Sequence, residues 1–166
     1  MATPTYEPIA TTTLASAAAS YTFGSISGSY TDLVLVMNSI ADSTAFHIYA
    51  RYNSDSVPNY SQTFVYGTGA SAASARETSQ AQARFTFGAA VRTTSPTTTI
   101  VNFENYSNTS TFKTAVARNS RASDGVEAVV SLWRSTSAIN SIQIFNSASA
   151  NFAIGSTFTL YGIAAA

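Results

Sequence analysis

The stretch VEAVVSLWR, residues 126–134, decides the fold class. Val126, Ala128, Val130 and Leu132 occupy alternate positions, with Glu127, Val129, Ser131 and Trp133 between them. A period of two is the repeat of a pleated strand, whose successive side chains point to opposite faces; a helix would repeat at 3.6. The same period recurs outward along the chain. Phe46, Ile48, Ala50 and Tyr52 alternate with Ala45, His47, Tyr49 and Arg51. Phe112, Thr114 and Val116 alternate with Lys113, Ala115 and Ala117, and Phe158 and Leu160 with Thr157, Thr159 and Tyr161. The pattern predicts strands near 9–14, 20–26, 31–38, 44–52, 61–66, 83–88, 97–104, 111–118, 126–134, 139–145 and 157–163.

The breaks between these segments carry turn chemistry: Ser27-Gly28, Ala41-Asp42-Ser43, Pro58-Asn59, Ser95-Pro96, Asp124-Gly125 and Gly155-Ser156. Many strands joined by short turns point to an antiparallel sandwich or barrel. Eight or more favour a jelly roll over a seven-stranded immunoglobulin-like sandwich, whose Cys–Trp–Cys signature is also absent. The expectation is one all-β domain over residues 9–166, an antiparallel β-sandwich of jelly-roll type. Residues 1–8, MATPTYEP, hold two prolines and no strand pattern, and read as a short N-terminal arm or a frayed end. Residues 67–82, GTGASAASARETSQAQ, are small and polar with no periodic apolar face. They predict a long surface loop with a helical turn near 75–82, either a flexible excursion or a partner contact.

Composition narrows the function. Charged residues make up 10% of the chain against about 25% in ordinary soluble domains, so Ser, Thr, Asn and Gln must supply the polar surface. Eight basic and eight acidic residues cancel, and the basic ones are scattered, so nothing resembles the footprint of a nucleic-acid binder. With no cysteine, neither disulfides nor thiolate metal sites can form. No segment approaches the ~18 apolar residues of a membrane span, and the N-terminus lacks the basic-then-apolar order of a signal peptide. The expected setting is a cytoplasm, with no membrane partner.

Catalytic readings find little. A Ser–His–Asp triad would have to use His47, the single histidine, which sits mid-strand beside Tyr49 and Arg51 as an exposed or interface residue would. GSISG at 24–28 places Ile26 where a hydrolase elbow needs its serine. One histidine and no cysteine leave transition metals without ligands, and no Asp-rich calcium loop or phosphate-binding glycine loop occurs. Two converging carboxylates could still hydrolyse a glycoside, with Asp32, Glu104 and Glu127 on or near strands. No catalytic, cofactor-binding or metal-binding residue is assigned, and binding rather than catalysis is expected. Trp133 and the tyrosines admit a sugar-stacking role; alternatively Trp133 fills a second core or a subunit contact.

Three stretches together carry a resemblance: YTDLVLVM at 30–37, NYSNTSTFKT at 105–114, and SLWRSTSAINSIQIF at 131–145 followed by NFAIGSTFTLYGI at 151–163. They resemble small virion structural proteins of tailed bacteriophages, particularly those of cyanobacterial and other aquatic hosts. The resemblance runs from about residue 9 to 163 and is weakest over 67–91. It implies a jelly-roll domain in the virion, assembled in the host cytoplasm. The expected role is a capsid cement or decoration protein, a homotrimer bound to the major capsid protein on the outer head. The alternative it implies is a tail-fibre or receptor-binding domain, and only then a host glycan partner. Tyr6, His47, Tyr49, Arg51 and Trp133 are the candidate contact residues, on the arm and on aromatic-bearing faces.

Overall fold

The computed structural model describes residues 5–121, 123 and 125–164. Among them are twelve strands and no helix: β1 (Tyr6–Thr13), β2 (Ser20–Phe23), β3 (Asp32–Ser39), β4 (Ile48–Tyr52), β5 (Tyr60–Gly67), β6 (Ala72–Gln80), β7 (Ala83–Arg84), β8 (Thr97–Glu104), β9 (Lys113–Arg121), β10 (Gly125–Trp133), β11 (Ile142–Asn146) and β12 (Thr157–Ile163). They form two antiparallel sheets, one ordered β1-β12-β3-β8-β9-β10-β5-β6 and the other β2-β11-β4-β7.

Setting aside the hairpins β5–β6 and β9–β10 exposes the plan. The remaining eight strands lie as β1-β12-β3-β8 over β2-β11-β4-β7. First pairs with last, second with second-last, third with third-last and fourth with fifth, as in one long antiparallel ribbon rolled onto itself. That is a jelly roll, and the sequence expectation of a β-sandwich of this type holds. The two extra hairpins extend the larger sheet beyond β8, so four of its strands reach past the jelly roll proper.

The core forms because the ribbon's inward side chains are apolar. Leu33, Leu35 and Met37 of β3, Val101 and Phe103 of β8, and Phe158 and Leu160 of β12 are enclosed, as are Ile48, Ala50, Tyr52, Ile142 and Ile144 of the smaller sheet. Phe152 joins them, its ring 4.9 Å from Phe46 and 5.1 Å from Phe158, both edge to face. Each such aromatic contributes about 1.5–3 kcal/mol by leaving water.

Several boundaries differ from the sequence expectation. Residues 72–80 are strand β6 and not a loop with a helical turn. β6 pairs along β5, but its residues are small or polar and none is fully buried, with only Ala75, Glu77 and Gln80 half-buried, so no apolar period was there to read. The segment expected as a strand over 83–88 is strand only at Ala83–Arg84 and then runs as irregular chain. Tyr6, Glu7 and Pro8, expected in the arm, begin β1 and pair with Ile163, Gly162 and Tyr161. β1 is a sheet edge, where proline's missing N–H is tolerated. Residues 1–4 of the expected arm lie outside the described residues, as does Asp124 of the expected Asp124-Gly125 turn.

Candidate interaction surface

The five residues singled out from sequence do not converge. Trp133 is a correction: it is enclosed at 2% exposure, not displayed for a partner. Its Nε1–H donates to Asp55 Oδ2 at 2.7 Å, and its ring stacks on Tyr60 and meets Tyr52 edge to face. An indole whose one polar atom is satisfied by a carboxylate is well placed inside. Burial works against the Asp55 carboxylate, but donation from Val57, Asn59 and Trp133 outweighs it and holds the group below the usual range. Tyr6 is 58% exposed on the β1 edge, in edge-to-face contact with Tyr161. Tyr49 and Arg51 lie half-buried on the outer face of the smaller sheet, where Arg51 covers the Phe145 ring at 4.9 Å and Tyr49 leans on the same ring.

His47, just before β4, belongs to a different group. Burial, then the positive charge of Arg84, push its basicity down to about 4, so the ring is neutral near pH 7. Its Nδ1 lies 3.5 Å from Thr86 Oγ1, but Thr86 is wholly enclosed and its hydroxyl already accepts from Ile48 N–H. That pair cannot meet a substrate. Arg84 itself is held by Glu77 at 2.7 Å and by its Nε–H donating to the Thr86 carbonyl, with the Phe87 ring 4.5 Å away. Gln62 donates to the second oxygen of Glu77 at 2.7 Å. This cluster fastens the edge of the smaller sheet to β5 and β6.

The inward face of β9 and β10 is unexpectedly polar: Asn119, Arg121, Glu127 and Ser131 are all enclosed. The cause lies opposite. The smaller sheet ends at the two-residue β7, and the irregular segment 85–91 covers this part of the larger sheet. Irregular chain brings backbone groups with no strand partner, and each must be satisfied. Glu127 accepts from the N–H groups of Phe87, Gly88 and Ala89 at 2.8–3.3 Å. Asn119 donates to the Phe85 carbonyl at 2.5 Å and Arg121 to that of Ala90 at 2.8 Å. Gly88 is required here, because a Cβ would run into the Tyr66 ring. Burial raises the Glu127 carboxyl above its ordinary value although these backbone donors and Arg84 pull the other way. Among the described residues, no three of His, Cys, Asp and Glu gather as metal ligands would.

Val129 and Trp133 of β10 turn in beside these polar side chains, but the strand's other valines turn out. Val126 is 62% exposed, Val130 52%, and Val65 of β5 58%. Register aligns them: Val65 and Arg118 flank Ala128, Thr63 and Val116 flank Val130, and Gly67 and Ser120 flank Val126. Arg76 follows Thr63 on β6. Arg134, just past β10, donates to Ser61 Oγ at 3.1 Å. The outward positions of β5, β6, β9 and β10 carry no carboxylate, since Glu77 and Glu127 both point inward. Two shallow hollows mark the face. One, of about 480 Å³, is lined by Val65, Ala72, Arg118, Val126 and Ala128; the other, of about 320 Å³, by Thr63, Arg76, Val130, Leu132 and Arg134. The result is a valine strip bordered by three arginines. Its signal was present in the sequence as the alternation of 126–133, but the set Val126, Ala128, Val130 and Leu132 turns out while Glu127, Val129, Ser131 and Trp133 turn in.

Comparison with protein-family models, with curated proteins and with solved structures finds no match to this chain.

Proposed function

We propose that this chain is a structural binding protein that docks the valine–arginine face onto a larger protein assembly, and specifically a cement protein on the outer head of a tailed bacteriophage. The observation that carries the docking role is the outward apolar strip of β10 and β5, with valines more than half exposed on regular strands. Isolated exposed apolar residues are ordinary, but an aligned strip is characteristic of an interaction site. The virion setting rests on the three sequence stretches that resemble phage structural proteins, and the jelly-roll plan fits it.

Size favours attachment in many copies. Four strands spaced ~4.8 Å apart and about seven residues long present roughly 19 Å by 23 Å, or about 450 Å² in projection. A stable pairwise interface buries ~800 Å² per partner, so one face alone holds weakly. A lattice of major capsid subunits presents the complementary site repeatedly, and linked attachment turns weak contacts into avid ones. Binding only the assembled head stabilises that state by mass action. The arginines pair with carboxylates on the capsid surface while the valines leave water. The role is non-catalytic. A sugar-stacking role loses its foremost ring, because Trp133 is inside.

An averaged electron-microscopy map of particles containing the protein tests the proposal. Density repeated over the whole head is the expected result. Density confined to the tail tip would overturn the cement role, and absence from the particle would overturn the virion setting.

A further inference from the structure

The two sheets have four edges, and three are protected. β1 carries Pro8, which has no N–H to offer, and its register breaks between Pro8 and Ala10. β2 has four residues and β7 two, too short to template another strand. β6 is different. It is nine residues long, contains no proline, and runs in regular register with β5 over 72–77, the register shifting only beyond that stretch, near Ser79 with its positive φ. Over 72–77 no further strand pairs with its other side, which is flanked by Ala72, Ala73, Ser74 and Ala75, small residues that offer no bulk against an approaching chain. Of its two charges, Glu77 is already engaged by Arg84 and Gln62.

We propose that β6 is a self-association edge, where two copies pair β6 to β6 in antiparallel fashion about a two-fold axis at Ala75 and join their larger sheets into one. The chemistry of a free edge calls for a strand, and the sequence of β6 suits its own copy. An antiparallel two-fold runs perpendicular to the sheet, so like faces stay together and the axis must fall on a residue. At Arg76 or Glu77 it would set like charges opposite each other, which destabilises a ladder. At Ala75 it pairs Arg76 with Ser74 and Glu77 with Ala73, within the regular stretch of the strand and without such a clash. The contact is isologous and closes at two copies, unlike the threefold association implied by the phage resemblance. It also sets both valine–arginine faces on the same side of the joined sheet, doubling the docking area. The pairing itself does not depend on what that area binds.

The absence of cysteine from the natural chain gives a clean test. Opposed Cα atoms in an antiparallel pair are ~4.5–5.5 Å apart, within the ~4.4–6.8 Å span of a disulfide. Under mild oxidation, Ala75→Cys should give a covalent dimer, whereas Thr11→Cys on the protected β1 edge should cross-link at least tenfold more slowly. Sedimentation velocity of the unaltered protein should show a dimer, and Ala73→Lys should raise its dissociation constant at least tenfold. A monomer or trimer of the unaltered chain, or equal cross-linking at positions 75 and 11, would overturn the proposal. The sedimentation result stands even if a variant fails to fold.

Discussion

The larger sheet contains two halves whose enclosed polar side chains differ in kind, small hydroxyls (Ser39, Thr97, Thr99) in one and charged or amide groups in the other. In the half made by β1, β12, β3 and β8, inward positions such as Leu35, Met37, Val101, Phe103 and Phe158 are apolar and face another sheet. In the half made by β9, β10, β5 and β6, several inward positions are polar, among them Gln62, Asn119, Arg121 and Glu127, and the outward ones carry the valines. Both halves are regular antiparallel ladders with the same period. What differs is the cover. A sheet laid over a strand satisfies its own backbone and asks only for apolar contact, whereas an irregular segment such as 85–91 asks for hydrogen bonds. The identity of a strand's inward face is therefore set by what lies across from it, and apolarity alone does not reveal it.

Substitutions can break this contrast or sharpen it. The largest effect is expected from Phe158→Ala in the apolar half, a loss of about 3–5 kcal/mol in urea unfolding as transfer energy and cavity cost add. Glu127→Ala in the polar half should cost less, about 1–3 kcal/mol, because it strands backbone donors of 87–89 in place of opening an apolar void. If Glu127→Ala were neutral, the polar face would not be what holds the covering segment, and the contrast would fail.

A smaller, pH-dependent effect comes from His47. Folding lowers its basicity to about 4, whereas an unfolded histidine titrates near ~6.5. Between these values the unfolded chain binds the proton and the folded chain does not. Stability from this group is therefore complete above pH ~6.5 and is lost as the pH falls toward about 4. Allowing for residual solvent screening, the loss is about 1–2 kcal/mol. Thermal melts of the protein and of His47→Gln from pH 7 to pH 4 should converge or diverge by that amount; parallel curves would contradict the burial of the ring. The smallest effect belongs to the outward valines. Val130→Ser should change stability by less than about 0.5 kcal/mol, because its side chain has little to lose on the free domain. A large loss there would mean that the outward strip is part of the domain's own core.

The contrast also marks how far the sequence could be read. The strands of the apolar half, and those expected near 111–118 and 126–134 and found at Lys113–Arg121 and Gly125–Trp133, were legible because alternation and turn residues agree along them. The jelly-roll plan followed from strand number and turn spacing. β6 was not legible, since AASARETSQ buries almost nothing and its strand form comes from pairing with β5. For Trp133 the sequence left a displayed ring, a subunit contact and a second core open, because its interior place depends on Asp55, far away in sequence, accepting from the indole N–H. The docking face was half legible. The alternation of Val126, Ala128, Val130 and Leu132 was evident, but the inward pull on Glu127 comes from backbone donors nearly forty residues earlier. Of the candidate contact residues, Tyr49 and Arg51 reach the surface on the outer face of the smaller sheet, away from the valine strip, whereas Tyr6 lies on the same side of the larger sheet as the strip but at its opposite edge.

The most direct test of the docking face is cosedimentation with assembled phage heads that lack the protein, using the unaltered chain and the double variant Val126→Asp/Val130→Asp. Saturable binding of the unaltered chain and at least a hundredfold weaker binding of the variant are expected, with melting temperatures within a few degrees of each other. Equal binding by both proteins would contradict docking through this face.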